Sequence, residues 1–281
     1  MNDPRRSGKT TPQDKSGQVF GPGPRGIFDE VLFVLLLVMF LRMFIVEIYK
    51  IPTGSMTPTL LGGAVSHIDV TGDETRELLF WDDQAARAGP LMYRWNGERF
   101  VFSQRLMVPE RHRRDWAERS LIRNQFDRIL VSKLPYLFRR PRQGEIVVFK
   151  VLPEHYSPEA PIYIKRLVGE PTQTLSFTRE GRLVADGELV REPEFFRHQQ
   201  YDPTVPRGRP TILQPEIEYE PLPGERLLIR RIDVPPGHVY LFGDNAHGSL
   251  DSRFFGALPI PHVKGRAFLR VYPFTQIRFL T

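Results

Sequence analysis

Residues 163–170 of this 281-residue chain read YIKRLVGE. Apolar and β-branched side chains flank the adjacent charges of Lys165 and Arg166, and this composition is typical of a β-strand. Most lysines in strands point to solvent, but Lys165 stands among apolar neighbours. Such a setting disfavours the charged ammonium and lowers the pKa of a lysine amine from its usual value of about 10.4. The sequence therefore contains one lysine whose surroundings favour a neutral amine.

Similar strand patterns recur along the chain, and 26 prolines interrupt any long helical periodicity. We predict strands near residues 129–133, 145–150, 162–168, 174–178, 182–185, 226–231, 238–242 and 265–279. Their spacing and turn residues favour a mostly β fold of antiparallel, coiled sheets.

Composition narrows the possible chemistry. The chain has no cysteine, which excludes disulfides, thiolate metal sites and a cysteine nucleophile. A formal net charge of +6 fits a solvated basic surface near anionic lipid. A nucleic-acid partner would call for a recognisable binding motif, and we find none. We also find no H-E-x-x-H motif, and we expect neither a metal nor a cofactor.

An apolar run near the N-terminus predicts a membrane anchor. Residues 31–41 read VLFVLLLVMFL, and after Arg42 the apolar character continues. The run is shorter than the ~20 residues of a spanning helix, but its apolar flanks extend it to residues 27–49. Three alternatives call for features that this run lacks. A core helix would show a polar stripe, a cleaved signal would end in small residues, and an interfacial helix would have a polar face.

The charges before this run predict its orientation. Arg5, Arg6, Lys9, Lys15 and Arg25 precede it, and basic residues stay on the cytoplasmic side. We therefore expect residues 1–26 to be a disordered cytoplasmic tail. Residues 50–281 would form a body on the far side of the membrane.

Residues 49–60, directly after the run, read YKIPTGSMTPTL and present a candidate nucleophile, Ser55. A serine hydroxyl is a weak nucleophile and needs a base within hydrogen-bond reach. The seven histidines form no recognisable triad or metal motif, so Lys165 is the alternative base. On its own, Ser55 could equally be a turn residue between Gly54 and Pro58.

Five segments in order resemble type I signal peptidases, the membrane-anchored Ser-Lys proteases of bacterial export. Two are the segments around Ser55 and Lys165; the others are DRILVSK at 127–133, QGEIVVF at 143–149 and GDNAHGSLDSRFFG at 243–256. The resemblance covers about half of the chain. It implies the antiparallel coiled-sheet fold of that family with one N-terminal transmembrane helix.

The resemblance implies a role for each matching residue. Ser55 would be the nucleophile and Lys165 the general base. The Thr53 hydroxyl and the Ser55 backbone N–H would stabilise the oxyanion. Ser249 would hydrogen-bond and orient Lys165, and Asp251 and Arg253 would form a structural ion pair behind the site. The alternatives are an Asx turn at residues 249–251 and a solvated pair at residues 251 and 253.

The same resemblance implies the substrate and the location. The enzyme would remove N-terminal signal peptides from exported preproteins, cutting after small residues of the A-x-A type. It would sit in the bacterial cytoplasmic membrane with its body in the periplasm, beside the lipid bilayer and in possible contact with export machinery. Shallow apolar pockets would be lined by Tyr49, Ile51, Pro52, Met56, Leu60, Val148, Tyr163 and Ile164.

The sequence departs from the family in several places. Residues 62–123 form a long insertion after the serine segment, predicted to be a small β unit followed by an amphipathic helix near 109–125. We interpret this insertion as a surface excursion, with contact to anionic lipid or a partner as the alternative. Ala246-His247-Gly248 and Glu170-Pro171 replace the usual residues of their loops. Residues 170–235 are predicted to be a second, non-catalytic β region.

Two rival functions stay open at this point. A self-cleaving repressor shares the Ser-Met pair and the strand lysine, but it would need an N-terminal DNA-binding helix pair. A catalytically inactive, membrane-anchored β-scaffold would have no reason to keep Ser55, Lys165 and Ser249 together.

Overall fold

The computed structural model describes residues 24–40, 42, 45–70, 76–81, 89–97, 100–107, 123–150, 162–206, 215–224, 226–246 and 248–280. The chain divides into two units, Met1–Arg42 and Met43–Thr281. The described part of the first unit is mainly helix α1 (Pro24–Phe40), whose large apolar side chains are exposed. Within the described ranges, no helix combines the length and apolar character that a bilayer crossing requires. The membrane anchor at residues 27–49 stays a prediction.

The second unit is built almost entirely of strands. In chain order these are β1 (Val46–Lys50), β2 (Gly62–Ile68), β3 (Glu77–Trp81), β4 (Leu91–Trp95), β5 (Phe100–Arg105), β6 (Arg123–Phe126), β7 (Arg128–Ser132), β8 (Ile146–Lys150), β9 (Ile162–Gly169), β10 (Thr174–Phe177), β11 (Leu183–Ala185), β12 (Glu188–Leu189), β13 (Thr204–Pro206), β14 (Ile217–Leu222), β15 (Arg226–Asp233), β16 (His238–Phe242), β17 (Leu258–Pro259), β18 (Val263–Tyr272) and β19 (Arg278–Phe279). Two short helices, α2 (Pro135–Phe138) and α3 (Ser252–Phe255), accompany them.

Among the described residues the strands form three sheets. The main sheet runs β1-β7-β18-β8-β9-β16-β17, with β19 also paired to β18. A second sheet runs β12-β11-β10-β15-β13, with β14 on β15, and a third runs β5-β4-β3-β2-β6. The pairings between these strands are antiparallel throughout. The prediction of a mostly β, antiparallel fold is confirmed, and the strands lie close to their predicted positions.

The start of β1 differs from the predicted end of the anchor. Residues 46–49 were expected to belong to the membrane segment, but they pair with β7, with Ile48 opposite Leu130. Alternation of apolar residues with Glu47 suits a strand, and Glu47 lies 2.6 Å from the amine of Lys133. Residues 46–49 therefore belong to strand β1 and not to the membrane segment.

The main sheet is buried on both faces at its centre. Ile146 and Val148 of β8 belong to one apolar cluster, whereas Val147 and Phe149 belong to another. Successive side chains of a strand point to opposite faces, so these clusters cover the two sides of the sheet. Because β9 pairs directly with β8, Lys165 is carried into this interior.

The long insertion contributes the third sheet. Strands β2 to β5 agree with the expected β unit, but the end of the helix predicted at 109–125 is wrong, because Arg123–Phe126 is strand β6. Its backbone pairs with Gly62–Val65 of β2, which satisfies its hydrogen bonds as a helix otherwise would. The rest of that predicted helix lies outside the described residues. The second sheet occupies the region predicted as non-catalytic, residues 170–235.

Candidate active site

The segment around Ser55 is a short loop whose two ends bond to a single residue. The N–H of Ile51 donates to the carbonyl of Asp127 at 2.8 Å, and the N–H of Asp127 donates to the carbonyl of Leu61 at 2.9 Å. The Asp127 carboxylate accepts the Leu61 N–H at 2.9 Å and pairs with Arg270 at 3.2 Å. Inside the loop, Gly54–Met56 makes one 3₁₀ turn. Ser55 is therefore presented on a loop that is fixed at both ends.

Lys165 comes from β9 in the middle of the main sheet, between β8 and β16. Its side chain is only 2% exposed, and its Nζ lies 2.7 Å from Ser55 Oγ and 3.1 Å from the Ile164 carbonyl oxygen. The structure thus brings together the two residues that the sequence singled out, although they are 110 positions apart.

Burial decides the electrostatics of this amine. Loss of hydration lowers the pKa of Lys165 from 10.5 to about 8. The carboxylates of Asp251 and Asp244 oppose that shift, and the guanidinium of Arg253 adds to it. A sizeable fraction of the amine is therefore neutral near neutral pH, and a neutral amine can accept a proton.

Thr53 and Ser249 were also predicted to act on the reacting groups, and only Thr53 lies close enough to contact one of them. Thr53 Oγ1 lies 3.4 Å from Ser55 Oγ, at the edge of hydrogen-bond distance. Ser249 is buried, but its hydroxyl has no hydrogen-bond partner among the described residues, so the predicted bond to Lys165 is not formed. Ser249 nonetheless borders the loop. A Cβ on Gly243 would come 2.1 Å from Ser249 Oγ and 2.4 Å from the Ser55 carbonyl oxygen, so only glycine fits there.

The predicted pair of Asp251 and Arg253 is a buried, doubly bonded ion pair. Arg253 Nε and Nη2 each lie 2.9 Å from an Asp251 oxygen, which excludes the alternative of a solvated pair. Asp251 also accepts the N–H of Gly243 at 3.1 Å and caps helix α3. The pair therefore holds the turn that follows β16 beside the serine loop.

A further buried ion pair, between Arg166 and Asp244, was missed in the sequence. Both side chains of Arg166 and Asp244 are 0% exposed and meet through two contacts of 2.9 Å. Arg166 also donates to the Gly144 carbonyl at 2.7 Å. The available signal was the second charge of YIKRLVGE, because a charged side chain inside an apolar strand requires a partner.

The residues proposed for the substrate pocket separate into two groups. Five of them, Ile51, Met56, Leu60, Val148 and Ile164, are at most 8% exposed and share one apolar cluster, against which Tyr49 packs. Tyr163 packs on the other face with Phe149, and Pro52 is exposed. The buried five form one apolar floor, whereas Tyr49, Pro52 and Tyr163 keep some accessible surface.

No group of three or more histidine or acidic side chains that could hold a metal is present within the described ranges. What the site offers is a hydroxyl at hydrogen-bond distance from a buried amine, with a second hydroxyl beside it. This is the kind of site in which a serine nucleophile is activated by a base other than histidine.

The comparison with known families agrees with that class. The sequence model described as "Signal peptidase, peptidase S26" matches residues 25–78 and 103–272, which is well over half of the chain. This protein therefore belongs to the signal peptidase family. The unmatched residues 79–102 lie inside the predicted insertion.

Individual members of the family match parts of this chain. The chain is 32% identical over 154 residues to the probable thylakoidal processing peptidase 2 of Arabidopsis thaliana, covering 54% of this chain and 35% of that protein. It is 27% identical over 253 residues to signal peptidase I of Pseudomonas aeruginosa, covering 84% and 68%. The chain spans less than two thirds of the length of several curated relatives.

One solved relative is a crystal structure of a signal peptidase I from Enterococcus faecalis V583. It shares 21% identity, covers 46% of this chain and 97% of that chain, and has a TM-score of 0.29. That similarity is too low to carry an argument.

Proposed function

We propose that this protein is a membrane-anchored serine endopeptidase that removes N-terminal signal peptides from exported preproteins. The observation that carries the proposal is the 2.7 Å separation between Lys165 Nζ and Ser55 Oγ in a chain of the signal peptidase family. Ser55 is the nucleophile and Lys165 the general base. The rival function of an inactive scaffold does not call for a buried lysine beside this hydroxyl.

The reaction begins with proton transfer. Neutral Lys165 accepts the proton of Ser55, and Oγ attacks the scissile carbonyl carbon. The negative charge that develops on the carbonyl oxygen is stabilised by the Ser55 N–H and the Thr53 hydroxyl. The protonated amine then donates to the leaving nitrogen, which releases the mature protein and leaves the signal peptide acylated on Ser55. Lys165 next activates a water molecule that hydrolyses the ester.

The preference for small residues follows from the floor of the site. Met56, Leu60 and Val148 are almost fully buried, so the apolar surface behind Ser55 is filled rather than hollow. A large side chain would have to displace this packed floor, whereas alanine would rest on it. Tyr49, whose side chain is partly exposed, packs against this floor and supplies a side wall.

The location is part of the same proposal. The exposed apolar side chains of helix α1 need a covering, and the residues before β1, 27–45, would supply an anchor with the N-terminus in the cytoplasm. Because β1 starts at Val46 and Ser55 lies nine residues further on, the site would be held at the bilayer surface on the periplasmic side. Signal peptides, the lipid bilayer and export machinery would be its partners.

The test is cleavage of a purified precursor with an A-x-A site. The wild type should release the mature protein, and Ser55→Ala and Lys165→Ala should not. Ser176→Ala in β10 and Lys150→Ala at the exposed end of β8 are matched controls that should cleave normally. Equal cleavage by the wild type and both site variants would refute the proposal.

Thr53 can be examined in the same assay. Thr53→Val removes the hydroxyl at nearly constant volume and should lower kcat by roughly 10²–10³-fold, the usual loss for one oxyanion donor. Thr53→Ser keeps the hydroxyl and should retain most of the rate. A valine variant as fast as the serine variant would exclude Thr53 from this role.

A further inference from the structure

The third sheet lies directly against the nucleophile loop, which is the segment between Ile51 and Leu61 that carries Ser55. A Cβ added to Gly54 would come 1.7 Å from Phe80 Cζ, so the ring of Phe80 already touches the backbone beside Ser55. A Cβ on Gly62 would come 2.5 Å from the Thr53 carbonyl oxygen and 2.7 Å from that of Ile51. The insertion therefore packs on the serine segment, in contrast to the surface excursion that the sequence led us to expect.

Phe80 is itself firmly held. It lies in β3, is 5% exposed, and stands opposite Val65 of β2 and Leu91 of β4. Its apolar cluster also contains Leu61, the residue at the exit of the nucleophile loop. A movement of this ring would disturb three strands, so the ring acts as a fixed stop for Gly54.

We propose that Phe80 is a positioning residue that fixes the Gly54–Ser55 peptide relative to Lys165. The inference rests on the proposed function, and it assigns a role to the part of the insertion that the family sequence model does not match. Without the ring, a cavity opens beside Gly54 and the loop can shift towards it. A displacement of about 1 Å can reduce a rate by about 10²-fold, so kcat should fall while KM changes little.

The experiment compares Phe80→Ala with Phe80→Leu and with Leu91→Ala in the full chain. Leu91 belongs to the same cluster and is 1% exposed, so Leu91→Ala weakens the same core but leaves the ring on Gly54. We expect a loss in kcat of roughly 10- to 100-fold for Phe80→Ala, partial recovery in Phe80→Leu, and a much smaller loss in Leu91→Ala. Rates are taken below the melting temperature of the least stable variant.

Equal kcat values for Phe80→Ala and Leu91→Ala would overturn the proposal. If Phe80→Ala does not fold, Phe80→Leu is compared with Leu91→Ala instead. The proposal then requires that kcat falls further in Phe80→Leu than in Leu91→Ala. Acylation of Ser55 by a p-nitrophenyl ester is measured in parallel. Should the wild type cleave no precursor, the proposed function fails, whereas the acylation rates still decide the role of Phe80.

A second, independent observation concerns Asn245, which follows β16 and is 2% exposed. Its Nδ2 donates to the Gly54 carbonyl at 3.1 Å, and its backbone N–H donates to the Ser55 carbonyl at 3.1 Å. One residue thus holds both carbonyl groups that flank the Ser55 Cα. In the trans peptide between Gly54 and Ser55, fixing the C=O on one side directs the N–H to the other.

From this arrangement we infer that Asn245 is a positioning residue for the oxyanion donor at Ser55 N–H. Donation to the Gly54 carbonyl also polarises the peptide and strengthens its N–H as a donor. Removing the amide should therefore weaken the binding of the transition state more than that of the substrate. This inference, like the first, rests on the proposed function.

The test uses Asn245→Ala and Gln199→Ala. Gln199 is a matched control, because its side-chain amide donates at 3.1 Å to the carbonyl of Asp244, one residue before Asn245. We expect Asn245→Ala to lower kcat by roughly 10- to 100-fold and to weaken inhibition by a peptide aldehyde, which forms a tetrahedral adduct, to a similar degree. KM should change little.

Two outcomes count against Asn245. A kcat equal to that of Gln199→Ala excludes a special role for its amide. A loss of kcat with unchanged aldehyde affinity excludes a role at the oxyanion donor. Failure of the wild type to cleave would instead refute the proposed function, and acylation by a p-nitrophenyl ester would still report on the Ser55 N–H.

Discussion

The pH dependence of cleavage tests the proposed chemistry most directly. Only the neutral form of Lys165 can accept the Ser55 proton, so activity should rise as pH increases through the pKa of the amine, about 8. A lysine of ordinary pKa, 10.5, would instead hold the site protonated throughout the neutral range.

The size of the effect follows from the shift. At pH 7 an amine with a pKa of 8 is neutral in roughly 9% of molecules, whereas one with a pKa of 10.5 is neutral in roughly 0.03%. Burial of Lys165 therefore raises the population of active enzyme by roughly 300-fold at pH 7. The carboxylates of Asp251 and Asp244 limit this gain, because they favour the protonated form.

The measurement is kcat/KM for a fluorogenic peptide with alanines at the cut, between pH 5.5 and 10. We expect the logarithm of kcat/KM to rise with slope one and level off above about pH 8. Lys150→Ala should give the same profile, since that lysine is exposed. A profile that is flat from pH 5.5 to 8, or one that still rises with slope one above pH 9.5, would refute the assignment of Lys165 as a buried base.

Three further predictions follow from the buried groups. Lys165→Met should raise the free energy of unfolding by about 3 kcal/mol at pH 7 in urea titrations, because the lowered pKa of Lys165 destabilises the folded state fully below about pH 8 and progressively less as the pH rises towards 10.5. The gain should shrink to about 1 kcal/mol at pH 9.5, and a gain independent of pH would contradict the prediction. Asp244→Asn leaves the Arg166 charge buried and unpaired and should lower the free energy of unfolding by about 3–5 kcal/mol. Glu192→Gln, in the exposed pair with Arg197, is the control and should leave the melting temperature nearly unchanged. Similar losses of stability in both variants would argue against a buried ion pair between Arg166 and Asp244. Gly243→Ala should abolish cleavage, since its methyl group would meet the Ser55 carbonyl oxygen, and normal activity would show that the close approach does not exist.

Some features of the site were accessible from local sequence because they depend on local chemistry. Alternating and β-branched residues predicted β8, β9 and β16 within one or two positions. The apolar surroundings of Lys165 within its own strand predicted a lowered pKa for its amine. The membrane anchor and the roles of Thr53 and Ser249 stay predictions, although the expected bond from Ser249 to Lys165 is not formed.

Other features depend on partners distant in the chain. The Arg166–Asp244 pair joins residues 78 positions apart, and the Asn245 amide reaches Gly54 across 191 positions. No periodicity or motif reports which strands become neighbours, because register and packing are set by the whole hydrophobic core. For the same reason the sequence did not reveal that Phe80 rests on Gly54.

The sequence by itself determined which residues carry reactive groups, since a hydroxyl, an amine and the strand pattern around them are local properties. Only the tertiary structure decided that the amine loses its water and that its nitrogen stands 2.7 Å from the hydroxyl oxygen. It also decided that the inserted sheet supports the serine loop. Burial and separation are properties of the assembled core, and a single segment of chain cannot specify them.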